Sequence, residues 1–278
     1  KELAQVIFYN ETIKKKPLKK GIVTPTNSCF SIKSTRNFKQ VVITPKKFGF
    51  IVEVQYEKEN LSKIKGKGIC CIDIGLNNLA AITSDQFSPI LVNGRILKSI
   101  NQWYNKCPSK RNGNKRYFRI ENYFHHVSKM IIELCLKNNC GTIIIGKNDG
   151  WKQEMNLGKK TNQNFQYIPF CRLIEKINYK AELFGIKIVL TEESYTSKAS
   201  FLDRDTLPKY EQGVKHVFSG KRVKRGLYCA SDGRLINSDV NGSCNIGRKV
   251  IQNEEVILGL DRSVAATPVR VNPLRIST

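Results

Sequence analysis

The chain has 278 residues, of which 47 are lysine or arginine and 23 aspartate or glutamate, for a formal net charge of +24. Hydrophobic residues make up 40% and charged residues 25%, which supports a packed core and excludes wholesale disorder. No apolar run approaches the roughly 18 residues needed to cross a bilayer, the longest, around Met130 to Leu136, being broken by Glu133, so a soluble protein of about two domains is expected.

The first 65 residues read as short strands separated by lysine-rich turns: Leu3 to Tyr9, Ser28 to Lys33, Val41 to Thr44 and Gly49 to Tyr56. In the last of these Phe50, Val52, Val54 and Tyr56 alternate with Ile51, Glu53 and Gln55, which predicts one buried and one mostly wet face in a small antiparallel module. A basic connector, Lys58 to Lys67, follows. Gly68 to Gly75, Leu79 to Thr83 and Phe87 to Val92 are apolar runs joined by tight turns at Asn77-Asn78 and Ser84-Asp85, the pattern of antiparallel neighbours. Then the period lengthens. Tyr123, Val127, Met130, Ile131 and Leu134 mark one helix face, Gly141 to Gly146 is a short buried strand, and Pro169 opens a second helix with Phe170, Leu173, Ile174, Ile177 and Phe184 inward. Ile186 to Thr191 is a fifth strand. Helix crossovers make the later strands parallel to a neighbour, which predicts an α/β mixed sheet of ribonuclease H topology with flanking helices. Trp151 to Phe165 and Leu202 to Lys224 read as surface loops. A helical pattern resumes from Asn241 to about Gln252, and the last stretch, with Pro268 and Pro273, reads as a tail.

The charge excess predicts polyanionic partners, because each lysine or arginine set against a phosphate releases condensed counterions. Nucleic acid comes first; a membrane surface comes second, since the basic residues are spread along the chain rather than gathered on one amphipathic helix. Nine cysteines (Cys29, Cys70, Cys71, Cys107, Cys135, Cys140, Cys171, Cys229 and Cys244) form no paired framework, which predicts reduced thiols and a cytoplasmic location. The chain opens at Lys1 on a strand-like stretch with no signal or transit segment, and residues upstream are expected to be missing.

Three places concentrate carboxylates. Asp73 ends an otherwise apolar strand, where an uncompensated buried charge costs several kcal/mol; it is either a cap on the turn into Gly75 or a ligand. Asp239 stands just before a helix, as an N-cap or as a second site carboxylate. Glu192 and Glu193 end the fifth strand, where like charges are either solvent-facing or held by metal. A mixed sheet that gathers these groups on so basic a chain could hold two divalent ions, magnesium being the type that hard oxygens take, for phosphodiester hydrolysis.

Four blocks, KGICCIDIGLNNLAAIT, GTIIIGKNDGWKQEMNLGKK, TEESYTSKASFLD and FSGKRVKRGLYCASDGRLINSDVNGSCNIGRK, occur in this order. Over residues 66 to 252 the chain resembles the RuvC-type nuclease domain of TnpB (OrfB-type) proteins of bacterial insertion sequences, relatives of type V CRISPR effectors. Residues 1 to 65 are similar to the end of that family's wedge-like β-barrel module, and residues 253 to 278 are a tail. The resemblance implies a transposon-encoded, RNA-guided DNA endonuclease, historically called a transposase, with a D…E…D site, Mg2+ or Mn2+, and DNA and a guide RNA as partners. Asp73 matches the first aspartate and Asp239 the last. The middle glutamate would end the strand at position 146, where this chain has Gly146. One strand further over, Glu193 or Glu192 could take its place, because adjacent strands lie about 4.8 Å apart; Glu193, nearer the strand exit, is preferred.

The family's zinc ribbon places two Cys-x-x-Cys pairs where this chain reads Ser200-Phe-Leu-Asp203 and Cys229-Ala-Ser-Asp232, and one thiolate of four predicts no structural zinc. Asn241 and Asn245 match the family's asparagines, as helix caps and surface polarity or as groups that order the site. Lys221, Arg222, Lys224 and Arg225 beside Tyr228 form a phosphate-contact patch, to which Lys198 could add. Arg111, Lys115, Arg116 and Arg119 interleave with Trp103, Tyr104 and Tyr117 as a stacking groove for single strands or an RNA–DNA hybrid. His125 and His126 have no partner at ligand spacing. The alternative is a nucleic-acid-binding protein without cleavage, a decayed or repurposed copy, favoured by Gly146 and by a short basic region between Asn105 and Tyr123.

Overall fold

The computed structural model describes residues 4–34, 38–46, 49–57, 66–147, 168–264 and 267–275. The loop expected at Trp151 to Phe165 and most of the connector at Lys58 to Lys67 lie outside them. The chain divides into two compact units, Lys1–Asn60 and Leu61–Thr278.

In the first unit, strands β1 (Val6–Tyr9), β4 (Phe38–Lys46) and β5 (Gly49–Tyr56) form an antiparallel sheet in that order, and a one-turn helix, α1 (Lys15–Leu18), precedes β2 (Ile22–Val23), which pairs with β3 (Ile32–Lys33). The buried core is Ile13, Val23, Phe38 and Val41. The buried face expected of β5 is not formed among the described residues: Phe50 is 65% exposed and Tyr56 44%. The small core lies at Val41, so on β5 only the directly opposite Val54 reaches it.

The second unit is built on a six-stranded mixed sheet. Strands β6 (Gly68–Ile74), β7 (Asn78–Ser84) and β8 (Ile90–Asn93) are antiparallel neighbours, and helices α2 (Arg95–Lys106) and α3 (Lys110–Lys137) carry the chain to β9 (Cys140–Gly146), parallel to β6. Helix α4 (Phe170–Leu183) leads to β10 (Lys187–Thr191), parallel to β9. Ser109 caps α3 by accepting from Asn112 N at 3.1 Å, so the basic stretch before Tyr123 is helical, with its side chains exposed or half-buried as far as Arg119.

The C-terminal half departs from expectation in three places. The stretch read as a loop ends in a three-stranded antiparallel sheet of β11 (Lys221–Lys224), β12 (Leu227–Cys229) and β13 (Leu235–Asn237). Helix α5 starts at Ser238 and stops at Arg248, capped by Asn237, whose Oδ1 accepts from Asp239 N and Val240 N. The stretch read as a tail folds into α6 (Glu254–Val264), which buries Ile257 and Leu260, and β14 (Val269–Val271), parallel to β8. The sheet order is therefore β10-β9-β6-β7-β8-β14.

Strand alternation assigns the two faces. Cys70, Ile72, Ile143 and Ile145 pack with Val127, Ile131, Leu173 and Ile177 of α3 and α4. Cys71 and Ile144, one residue out of phase, pack with Val240, Cys244 and Ile246 of α5. Asp73 and Gly146 share the phase of Cys71 and Ile144, so both belong to the α5 face. Among the described residues no helix is long and apolar enough to cross a membrane.

Candidate active site

Small residues let α5 settle against β6. A side chain at Gly247 would meet Cys71 Sγ at 2.5 Å, and one at Gly242 would meet Asp73 Oδ2 at 2.6 Å. Ser243 Oγ donates to Cys71 O at 2.9 Å and pairs with Thr83 Oγ1 at 2.9 Å, tying the helix to two strands. This approach brings the first turn of α5, with Asp239, to the end of β6 that carries Asp73.

The three predicted carboxylates converge. Burial first, and then the charges of Glu193 and Asp239, push the Asp73 carboxyl well above its usual range, with Arg222 opposing them. Gly146 explains how Glu193 enters. A Cβ on Gly146 would lie 2.5 Å from Glu193 Oε1 and 2.7 Å from its Cγ, so the Glu193 side chain fills the space a side chain on β9 would take. Thr191 lies opposite Gly146, and Glu193, two residues on, keeps the phase that faces α5. The turn after it is held by Thr196, whose N and Oγ1 donate to Glu193 O at 3.2 and 2.9 Å.

Glu192 points elsewhere. Burial alone would raise its carboxyl, but the Lys249 ammonium and the Ser194 backbone N–H, the latter at 2.8 Å, hold it below the ordinary range. It is the partner of a lysine that is almost wholly buried, at 7% side-chain exposure. Of the two glutamates, it is Glu193 whose charge acts on Asp73.

Asp239 is not the N-cap, since Asn237 fills that role. Its Oδ2 accepts from Asn78 Nδ2 at 2.7 Å, and Arg222 stands 3.8 Å from its Oδ1. Asn78 had no separate signal in the sequence; it opens β7, where the Asn-Asn pair reads as turn chemistry alone. Asn241 and Asn245 are fully buried and are neither caps nor surface polarity. Asn241 accepts from Phe201 N at 2.9 Å and donates to Ala199 O at 2.8 Å; Asn245 donates to Thr196 O and Ala199 O at 3.0 and 2.8 Å. Both anchor the segment that follows Glu193 onto α5.

The ribbon positions are joined without thiolates. Asp203 accepts from Ser231 N at 3.0 Å and Ser231 Oγ at 2.6 Å, while Asp205 accepts from Ser200 N at 2.7 Å and Ser219 Oγ at 2.6 Å. Cys229 is a half-buried free thiol. Ser200, Asp203, Cys229 and Asp232 offer a single soft ligand, and Asp203 is already spent on Ser231, so these residues do not fit zinc. Asp73, Glu193 and Asp239 carry hard oxygen donors of the kind a magnesium-class cation takes, and the charges of Glu193 and Asp239 act on Asp73. Among the described residues no group of three or more His, Cys, Asp or Glu stands as a ready ligand set.

The basic residues divide. Lys221, Arg222, Lys224 and Arg225 are exposed on β11 and the turn after it, and Lys198 is exposed with its Nζ 5.9 Å from the Tyr195 ring. Arg111, Lys115 and Arg119 are exposed on α3, but the stacking groove expected there is partly used internally: Arg119 lies over Trp103 at 4.8 Å and Arg116 over Tyr104 at 5.5 Å. Arg116 also donates to the buried Asn101 Oδ1 at 2.6 Å. His125 and His126 are exposed on α3.

Residues 170–246 match the family model "Cas12f1-like, TNB domain". The chain is 25% identical over 259 residues to the CRISPR-associated endodeoxyribonuclease Cas12f2 of Micrarchaeota archaeon (strain CG1_02_47_40), covering 85% of this chain and 45% of that protein. It is 22% identical over 235 residues to the TnpB-like protein ORF457 of Acidianus two-tailed virus, covering 75% of this chain and 47% of the relative. The chain thus spans about half the length of these two relatives. A solved structure, "Cryo-EM structure of the Cas12f1-sgRNA-target DNA complex", aligns with 89% of this chain and 67% of its own at 13% identity and a TM-score of 0.47. In sequence, the chain is similar to Cas12f and TnpB-like proteins.

Proposed function

We propose that the chain is the nuclease-bearing part of a transposon-encoded, RNA-guided DNA endonuclease, with Asp73, Glu193 and Asp239 as its catalytic carboxylates. The observation that carries this reading is the Glu193 side chain filling the space above Gly146 while its charge acts on Asp73. The strand order supports a ribonuclease H-like (RuvC) fold for residues 66 to 252, to which α6 and β14 add an extension, and the antiparallel sheet of the first unit supports a wedge-like β module over residues 1 to 65. The chain's similarity to Cas12f2, an endodeoxyribonuclease, supports DNA as substrate. A guide RNA and a cytoplasmic setting follow from the resemblance and from the reduced cysteines.

Asp73, Glu193 and Asp239 would hold Mg2+ or Mn2+, which when bound supplies activation of water and stabilisation of charge on the departing 3′ oxygen. The chain's own groups do the rest. Asn78 orients Asp239, and Lys249 with Ser194 keeps Glu192 out of the site. Thr196 fixes the backbone of Glu193. Arg222 offers a guanidinium at the edge of the carboxylates, suited to a phosphate oxygen.

Magnesium-dependent cleavage of target DNA by the full-length protein with its flanking RNA tests the reading. Asp73→Ala and Glu193→Ala abolish cleavage and Glu192→Ala retains it; cleavage that survives Asp73→Ala overturns the site. Gly146, which removes the family's middle carboxylate from β9, favours the second reading, nucleic-acid binding without hydrolysis, and that reading gains if all three variants bind DNA while wild type leaves it uncut.

A further inference from the structure

Beside Asp239 the fold gathers cations that the carboxylate site does not use. Gly94, which precedes α2, donates its N–H to Asn77 O at 2.9 Å, and Lys98, one turn into α2, donates from Nζ to Asn77 Oδ1. The next residue, Asn78, holds Asp239 at 2.7 Å. On the other side, Ser238 N donates to Gly226 O at 3.2 Å, which fixes the Arg225-Gly226 turn at the start of α5. Arg95 lies three residues before Lys98 on the same helix face. A continuous set of hydrogen bonds therefore brings Arg95, Lys98 and Arg225 to one edge of the carboxylate site. Arg95 and Arg225 are exposed and Lys98 is half-buried.

We propose that Arg95, Lys98 and Arg225 form a seat for a backbone phosphate of the DNA strand that reaches Asp239. Like charges held this closely repel one another, and an anion among them relieves the repulsion. Partial burial, then Arg225 and Arg95, lower the affinity of Lys98 for its proton, the direction expected when a half-buried cation has cations beside it. The two non-bridging oxygens of a phosphodiester, which share its single negative charge, match the forked guanidinium donors of Arg95 and Arg225. The assignment to the cut strand rests on the nuclease reading; the seat itself does not.

The test is fluorescence anisotropy of a labelled 20-nucleotide single-stranded DNA bound by this chain in EDTA, over a salt series, so that no cleavage intervenes. Lys98→Gln keeps an amide able to donate to Asn77, and Arg95→Gln and Arg225→Gln complete the set. Each substitution lowers the slope of log affinity against log salt by about 0.7 and weakens binding about three-fold at low salt, and the triple variant does so cumulatively. Lys187→Gln, an exposed lysine on β10, leaves the slope unchanged. Slopes equal to wild type in the single variants, with circular dichroism showing them folded, overturn the seat. An RNA oligonucleotide of equal length is the second arm, and a slope loss confined to RNA overturns the assignment to DNA. Asp73→Asn abolishes cleavage and leaves the slope intact; cleavage that survives it defeats the nuclease reading without touching the seat.

Discussion

Gly146→Ala puts the account of the glutamate under direct strain. The added methyl would lie 2.5 Å from Glu193 Oε1, 2.7 Å from Glu193 Cγ and 2.6 Å from Ile246 Cδ1, all below the distance real Cβ atoms tolerate. The Ile246 methyl is the end of a buried side chain and gives by a rotamer shift within the core, while Glu193, met at both Oε1 and Cγ, is displaced. Overpacking of this kind costs about 1–3 kcal/mol, and in a domain of 150–250 residues each kcal/mol moves Tm by about 2–4 °C. Differential scanning fluorimetry of Gly146→Ala is therefore expected to show a fall of about 2 to 12 °C. Cleavage should drop by more than the roughly 10–100-fold that follows loss of a ligand's outer hydrogen-bond partner, since a carboxylate itself is displaced. The double variant Gly146→Glu, Glu193→Ala removes the clash with Glu193 and returns a carboxylate from β9, so it recovers part of the activity. A Gly146→Ala protein that melts within about 1 °C of wild type and cleaves normally refutes the placement of Glu193 above Gly146.

Asp73→Asn raises Tm in metal-free buffer at pH 7.5. The folded pKa of Asp73 lies above its unfolded value, so its ionised form destabilises the native state at neutral pH and ceases to do so as pH falls below the unfolded value. The gain should vanish near pH 3, below the unfolded carboxyl range; a lowered Tm at pH 7.5 contradicts it. Lys249→Ala acts the other way, because Glu192 is held below its ordinary range: Tm falls at pH 7, the loss disappears as pH drops through the folded pKa of Glu192, and cleavage persists. Asp203→Ala removes both acceptors of Ser231 and speeds hydrogen exchange in β12 and β13, while a zinc chelator leaves exchange there unchanged.

The sheet was readable because its strands announce themselves twice. The apolar runs of β6, β7 and β9 have the length of buried strands, and the turn residues between them leave few ways to connect. The place of Glu193 over Gly146 was legible only through the strand it follows. Its phase with Val189 and Thr191 adds an argument that strand proximity alone did not supply, and it needs to be known that Val189 faces α5. Helix α6 and β14 were not legible, because one buried pair, Ile257 and Leu260, is too short a pattern, and a three-residue edge strand has no periodicity of its own. The buried roles of Asn241 and Asn245 depend on partners 40 and more residues away in sequence, so their spacing of four could suggest capping as readily as anchoring. Asn78 and Lys98 carry no motif; only the tertiary approach of α2 and α5 to the Asn77-Asn78 turn gives them neighbours.

Manganese binding followed by electron paramagnetic resonance tests the assembly of the carboxylates without requiring guide, target or turnover. Wild type and Glu192→Ala are expected to bind Mn2+ alike, and Asp73→Ala, Glu193→Ala and Asp239→Ala each to weaken or lose it. Equal binding in all five proteins, or a loss confined to Glu192→Ala, contradicts the claim that Asp73, Glu193 and Asp239 form one cation site.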